Sequence, residues 1–115
     1  MGTPTETNTE TFVKRLAADP HFKSGEPAIQ KLAYAAPIYA FITSAEGLAV
    51  ITFTKAALEV VDKVVDIVKK ALGKGAVKVE LVCPDGKTKS TIEGSQEQVI
   101  VLMAEFLKRC GKPQP

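Results

Sequence analysis

The chain has 115 residues, of which 45% are hydrophobic and 24% are charged. This length and composition are typical of a globular domain that buries its own core, and they exclude a disordered chain. The net charge of +2 is too small to predict binding to nucleic acid or to an anionic membrane surface. We expect a single domain over residues 1–115, with flexible tails at 1–8 and 112–115.

The first predicted element is a helix over about residues 8–18. Thr7 and Glu10 have the spacing of a capping box at its start. Pro20 ends it, because a proline disfavours the helical conformation of the residue before it. The sequence HFKSGE, residues 21–26, is then predicted to be a loop.

A second predicted helix begins at Pro27, since proline fits the first helical position, and it ends or kinks at Pro37. It leads into an apolar block, residues 32–54, whose one charge is Glu46. The block is long enough to cross a bilayer, so membrane association is one alternative. Its interruption at Glu46 and Gly47, without a flanking basic cluster, favours a buried hairpin.

The sequence LAVITFT, residues 48–54, leaves two alternatives open. Ser44 can cap a helix that runs on to Gly73, whereas the β-branched residues favour a short strand. We therefore expect a possible third strand within residues 38–53.

From Thr54 onward the pattern predicts one long helix. Its apolar stripe has the helical spacing and consists of Val61, Val64, Val65, Val68 and Leu72. Val60 and Ile67 widen the apolar surface beyond this stripe. We therefore predict that these two residues contact a protein partner or a second copy of the chain.

The last third of the chain predicts a hairpin over 77–92. Its first strand alternates apolar and polar residues, and PDG, residues 84–86, is a standard turn sequence. We interpret Asp85 as a turn residue and not as a metal ligand or catalytic group. A helix over 95–110 follows, and its predicted buried stripe is Val99, Leu102, Met103, Phe106 and Cys110. The expected fold class is α+β, with about four helices and a C-terminal ββα unit.

The chemistry-bearing residues are few. His21 is the single histidine and is interpreted as an ordinary surface residue, while Cys83 and Cys110 fit neither a CxxC pair nor a zinc site. A disulfide between them is the alternative, if the end of the strand meets the end of the last helix, but in a cytoplasmic protein we expect two reduced thiols. No motif for a nucleophile–base pair, a phosphate loop or a metalloprotease is present. The sequence therefore predicts no catalytic residues, no metal and no cofactor.

An alternative prediction is that the protein is a small-ligand binder or an enzyme. Aromatic residues near the predicted kink can line a pocket, and the carboxylate in the apolar block can have a perturbed pKa. The predicted pocket residues are Tyr34, Tyr39, Phe41 and Glu46.

The segment KVELVCPDGKTKSTIEGSQEQVIVLMAEFLK, residues 78–108, resembles the C-terminal part of effector-associated domains of bacterial conflict systems. The shared pattern is a helix, then a strand, a PDG turn, a second strand, a short connection and a last amphipathic helix. TFVKRLAADPHFKSG, residues 11–25, is similar to the opening helix of that family and its Asp-Pro dipeptide. The resemblance covers about half of the chain and implies a non-catalytic adaptor that binds other proteins or itself.

Overall fold

The structure is a computed structural model that describes residues 4–25, 38–45, 47–73 and 75–110. In chain order the elements are α1 (Pro4–Ala17), β1 (Phe22–Ser24), β2 (Ala40–Ala45), β3 (Leu48–Phe53), α2 (Lys55–Glu59), α3 (Val61–Ala71), β4 (Val77–Val82), β5 (Lys89–Gly94) and α4 (Gln96–Cys110). The α+β class and the C-terminal ββα unit are confirmed.

The five strands form one mixed sheet in the order β1-β2-β3-β4-β5. Two neighbouring pairs are antiparallel, β2 with β3 and β4 with β5, and the pairs β1–β2 and β3–β4 are parallel. Across the three central strands, Ile42 pairs with Ile51, and Ile51 pairs with Leu81. This register aligns the apolar residues of successive strands on one face.

The helices pack against that face. Alternate residues of the strands and the buried sides of α1, α3 and α4 form one apolar cluster, whose largest members include Phe12, Leu16, Phe22, Phe53, Leu81, Met103 and Leu107. Phe41 and Val82 alternate with these strand residues and are buried on the opposite face, outside the cluster. The radius of gyration of 13.3 Å is close to that expected for a compact domain of this length, about 13 Å.

Helix α1 begins at Pro4, four residues earlier than the predicted helix, and ends at Ala17. Thr7 therefore lies inside the helix, and the predicted capping box does not mark its start. Thr9 is fully buried, and its Oγ1 accepts the backbone N–H of Lys78 at 3.2 Å. This bond joins α1 to the start of β4.

The predicted loop at 21–26 was wrong for Phe22–Ser24, which form β1. Phe22 is fully buried and pairs with Ala40 of β2. Three residues are too few to show a strand period, so this strand depends on a neighbour distant in sequence. The predicted helix from Pro27 to Pro37 falls within residues 26–37, which lie outside the described residues.

Residues 40–53 form a hairpin of two strands, so the helical alternative from Ser44 was wrong there and the strand alternative is confirmed. The β-branched residues of β3 fit a pleated surface, and half of this strand faces the helices. Gly47 has φ 74° in the two-residue turn between Ala45 and Leu48, a conformation that favours glycine. No helix in the described part of the chain is long and apolar enough to cross a membrane.

The long helix predicted from Thr54 is divided in two at Val60. This residue has φ −131° and ψ 49°, and its N–H bonds to the carbonyl of Ala57. Helix α3 then starts at Val61 and carries the predicted stripe, with Val64 and Val68 fully buried.

The hairpin and the last helix lie where the sequence predicts them, but the stripe of α4 is rotated. Leu102 is 44% exposed, whereas Leu107 is 1% exposed and contributes to the core. The prediction of two reduced thiols was wrong, because Cys83 and Cys110 form a disulfide with a Cα–Cα distance of 5.6 Å. The bond forms because the end of β4 and the end of α4 meet.

Candidate functional site

The predicted pocket is not assembled in the described part of the chain. Tyr34 and Glu46 lie outside the described residues. Tyr39 and Phe41 are both buried, but Tyr39 belongs to the cluster on the helix side, and Phe41 lies on the other face. These two aromatic residues therefore do not line a common pocket.

The predicted contact residues Val60 and Ile67 are both half-buried and pack against the core. Val60 occupies the break between α2 and α3. Ile67 borders a shallow depression of about 240 Å³ between α3 and the end of α1, together with Arg15 and Asp19. Part of their apolar surface is thus already used inside the domain.

His21 is held in a local structure. Its backbone N–H donates to Asp19 Oδ1 at 2.8 Å, and its Nδ1 lies 3.1 Å from the same oxygen. The imidazole stacks on the Tyr39 ring, with centroids 4.5 Å apart and an angle of 7° between the planes. The sequence interpretation as an ordinary surface residue missed this packing, since His21 is half-buried.

Asp85 stabilises the turn between β4 and β5. Its Oδ1 accepts the backbone N–H groups of Lys87 and Thr88 at 2.7 and 2.9 Å, and its Oδ2 accepts the Thr88 hydroxyl at 3.0 Å. These bonds, first that from the Thr88 N–H and then that from the Lys87 N–H, lower the pKa of the Asp85 carboxyl from its ordinary 3.8. Both oxygens of the carboxylate thus accept hydrogen bonds within its own turn.

A cleft of about 570 Å³ lies beside the disulfide, between the start of α2, the β4–β5 turn and the end of α4. Its lining includes Lys55, Leu58, Cys83, Asp85, Arg109 and Cys110. The sequence analysis missed this cleft, because it exists only once three distant segments meet.

Strand β5 is the last strand of the sheet, and no other strand of the described residues pairs with its outer side. The backbone N–H of Cys83 donates to the carbonyl of Thr88 at 2.9 Å. Hydrogen-bonded pairs alternate along an antiparallel ladder, so Lys89, Thr91 and Glu93 direct their backbone N–H and C=O groups away from β4. All three side chains are exposed.

Helix α4 packs on the face of the sheet at β5 and leaves the outer side of the strand uncovered by any described strand. Gln98 Oε1 accepts the N–H of Ser95, the residue before the helix, at 3.0 Å. The Gln98 side chain also lies against the position that a Cβ of Gly94 would take, so this flank of α4 lies above the end of β5. Leu102 is one turn further along the same flank. The opposite flank faces α3, where Gln96 donates to the carbonyl of Lys69 at 3.0 Å.

Val101 and Leu102 are the exposed large apolar residues of the described chain, at 58% and 44%. Leu102 lies on the flank above β5, and Val101 is next to it in the helix. No strand of the described residues pairs with the outer side of β5, and such an edge is a template for pairing with another chain. We refer to Lys89, Thr91, Glu93, Val101 and Leu102 as the β5–α4 surface. The sequence analysis had placed Leu102 in the buried stripe.

Among residues 4–25, 38–45, 47–73 and 75–110, no group of three or more His, Cys, Asp or Glu side chains could hold a metal ion. Comparisons with protein-family models, with curated proteins and with solved structures each gave no match for this chain. The resemblance to effector-associated domains stays a prediction from the sequence.

Proposed function

We propose that the protein is a small, non-catalytic interaction module that binds another protein through the β5–α4 surface. The observation that carries the proposal is the coincidence of a strand edge with outward backbone groups and exposed apolar side chains on the helix beside it. Addition of a strand at such an edge supplies main-chain hydrogen bonds, and neighbouring side chains supply specificity.

The chemistry of the remaining groups supports a binding role. The single imidazole of the chain is engaged by Asp19 and Tyr39, and the Asp85 carboxylate is engaged by its turn. The adaptor function implied by the resemblance to effector-associated domains agrees with this proposal.

The test is capture of partners by cross-linking in cells that produce the chain, followed by mass spectrometry. The wild type is compared with the double variant Val101→Lys/Leu102→Lys. The matched control is Thr43→Lys/Ser44→Lys, which places two lysines at exposed positions of β2. We expect at least one partner to be recovered with the wild type and with the control but lost with the double variant. This partner is either another protein or a second copy of the chain.

Identical sets of captured proteins for all three chains would contradict this choice of surface. The surface on α3 predicted from the sequence would then be the next to test. Val60→Asp or Ile67→Asp should abolish binding without unfolding the domain if that surface is used. The unfolding midpoint must accompany this test, because both side chains pack against the core.

A second candidate function is binding of a small anionic ligand in the cleft beside the disulfide. The observation in its favour is the volume of about 570 Å³ with Lys55 and Arg109 in its lining, since pockets for small molecules begin at about 300 Å³. A thermal-shift screen of carboxylates and phosphates with the wild type and with Arg109→Gln tests it. A stabilising compound that acts equally on both proteins would refute an anion site at Arg109.

The disulfide bears on the cellular compartment in which the module acts. Such bonds persist in oxidising compartments and are rare in the cytoplasm. The bond that the structure shows therefore favours an oxidising compartment over the cytoplasm, which the sequence analysis predicted.

A further inference from the structure

We infer that the partner of the β5–α4 surface is a second copy of the chain, and that β5 pairs antiparallel with its symmetry mate about a two-fold axis at Thr91. The inference rests on the proposed function and names the partner and the register. It joins two five-stranded sheets into one of about ten strands. The contact is isologous, as in most two-fold dimers.

The backbone of β5 fits this register. Lys89, Thr91 and Glu93 direct their N–H and C=O groups outward, because the Cys83–Thr88 bond sets the alternation along the β4–β5 ladder. Pairing about Thr91 places Thr91 opposite its own copy in a hydrogen-bonded pair. It also places Lys89 opposite Glu93 of the second copy, again in hydrogen-bonded pairs.

The charges select the same register. Lys89 and Glu93 are equally far from Thr91 in sequence, so the two-fold axis forms two Lys–Glu pairs on one face of the joined sheet. Antiparallel pairing about Lys89 would place two lysines opposite each other, and pairing about Glu93 would place two glutamates opposite each other. Opposite charges directly across strands stabilise a sheet, and like charges destabilise it.

The exposed leucine of α4 lies at the height of the axis. From Thr91 to Gly94 the strand rises about 10 Å, which equals the rise of about seven helical residues. A helix that starts at Gln96 and runs back along β5 is therefore level with Thr91 near Leu102. The symmetry operation brings Leu102 towards its own copy above the new strand pair, which accounts for its exposure in the single chain.

The decisive variant is Thr91→Pro. The N–H of Thr91 points to the free edge, so proline removes no bond to β4, and proline is tolerated on edge strands. We expect light scattering to give the mass of a dimer for the wild type and of a monomer for Thr91→Pro, with unchanged circular dichroism. A dimer that survives Thr91→Pro overturns the inference.

Charge reversal tests the register by a route that does not depend on proline. Lys89→Glu should raise the dimer dissociation constant roughly tenfold, because two attractive pairs become repulsive, and Lys89→Glu/Glu93→Lys should restore most of the affinity. The matched control is Lys87→Glu, which makes the same charge change in the turn. Equal weakening by Lys87→Glu, or no recovery in the double variant, overturns the Thr91 register.

The outcomes also separate this inference from the proposed function. A wild type that is monomeric at the highest concentration reached overturns the dimer. If cross-linking in cells then still captures a different protein through Val101 and Leu102, the interaction module stands with another partner. If neither contact is found, both proposals fail.

Discussion

Cys83 and Cys110 join the end of β4 to the end of α4, and both cysteines belong to the C-terminal ββα unit. The bond fixes the last turn of α4 beside the β4–β5 turn, where the two segments form one side of the cleft. The orientation of α4 above β5, on which the position of Leu102 depends, is therefore held covalently at the far end of the helix.

Reduction of this disulfide should lower the free energy of unfolding by about 3 to 4 kcal/mol, which is the chain-entropy estimate for a loop of this size. The cysteines are 27 residues apart, so the reduced unfolded chain regains the freedom of that loop. Urea unfolding with and without dithiothreitol measures the difference. The reductant should have no effect on the variant Cys83→Ala/Cys110→Ala. An unfolding midpoint of the wild type that is the same with and without the reductant would refute the estimate.

Thr9→Val should destabilise the fold by about 1 to 2 kcal/mol, because the N–H of Lys78 loses a buried acceptor. Thr9→Ser keeps the hydroxyl and should cost less. The matched control is Thr43→Val, an exposed position where we expect a change within about 0.5 kcal/mol. Urea unfolding of the three variants gives the comparison, and equal losses for Thr9→Val and Thr43→Val would contradict the role of the bond.

The Asp85 turn predicts a pH dependence with a definite sign. Hydrogen bonds from the Thr88 and Lys87 N–H groups lower the pKa of Asp85 in the folded chain, so its contribution is present above the ordinary pKa of 3.8 and is lost as the pH falls through the lowered value. Asp85→Ala should therefore be less stable than the wild type at neutral pH. The difference should shrink in acid.

Unfolding curves of the wild type and of Asp85→Ala at pH values from neutral to acid check this dependence. Titration of the Asp85 carboxyl by nuclear magnetic resonance provides an independent measurement. A midpoint above 3.8 in the folded protein would contradict the lowered pKa.

Gly86→Ala isolates the cost of a backbone conformation. Gly86 has φ +74°, and no heavy atom other than its own and those of its two chain neighbours lies within 4 Å of the position that a Cβ would take, so contact with the rest of the fold adds nothing. We expect a loss of about 1 to 2 kcal/mol from the left-handed conformation alone. Gly86→Asn should cost less, since asparagine adopts this conformation more readily. Thermal unfolding ranks the three proteins, and a wild-type midpoint for Gly86→Ala would refute the argument.

The sequence predicted the C-terminal unit well because its signals are local. The alternation of β4, the PDG turn and the period of α4 each depend on residues within one element. The rotation of α4 was not predictable to one residue, since Leu102 and Leu107 both fit an apolar face. Only the position of α3 beside the helix decides that Leu107 is buried and Leu102 exposed.

The features that the sequence analysis missed or decided wrongly depend on contacts between distant segments. Strand β1 exists because Phe22 pairs with Ala40, and the disulfide exists because Cys83 and Cys110 are brought together by the hairpin and α4. The break at Val60 falls in an uninterrupted apolar pattern without glycine or proline. The predicted contact residue Val60 thus proved to occupy a corner between two helices.

The order of the strands has a consequence for biosynthesis. Each strand pairs with the next one along the chain, so a chain that emerges from the ribosome adds each strand at an existing edge and never inserts one between two formed neighbours. Strand β5 is the last of the five to be added, and α4 follows it along the chain. The edge through which we propose that two copies pair is therefore completed only after the other four strands are in place.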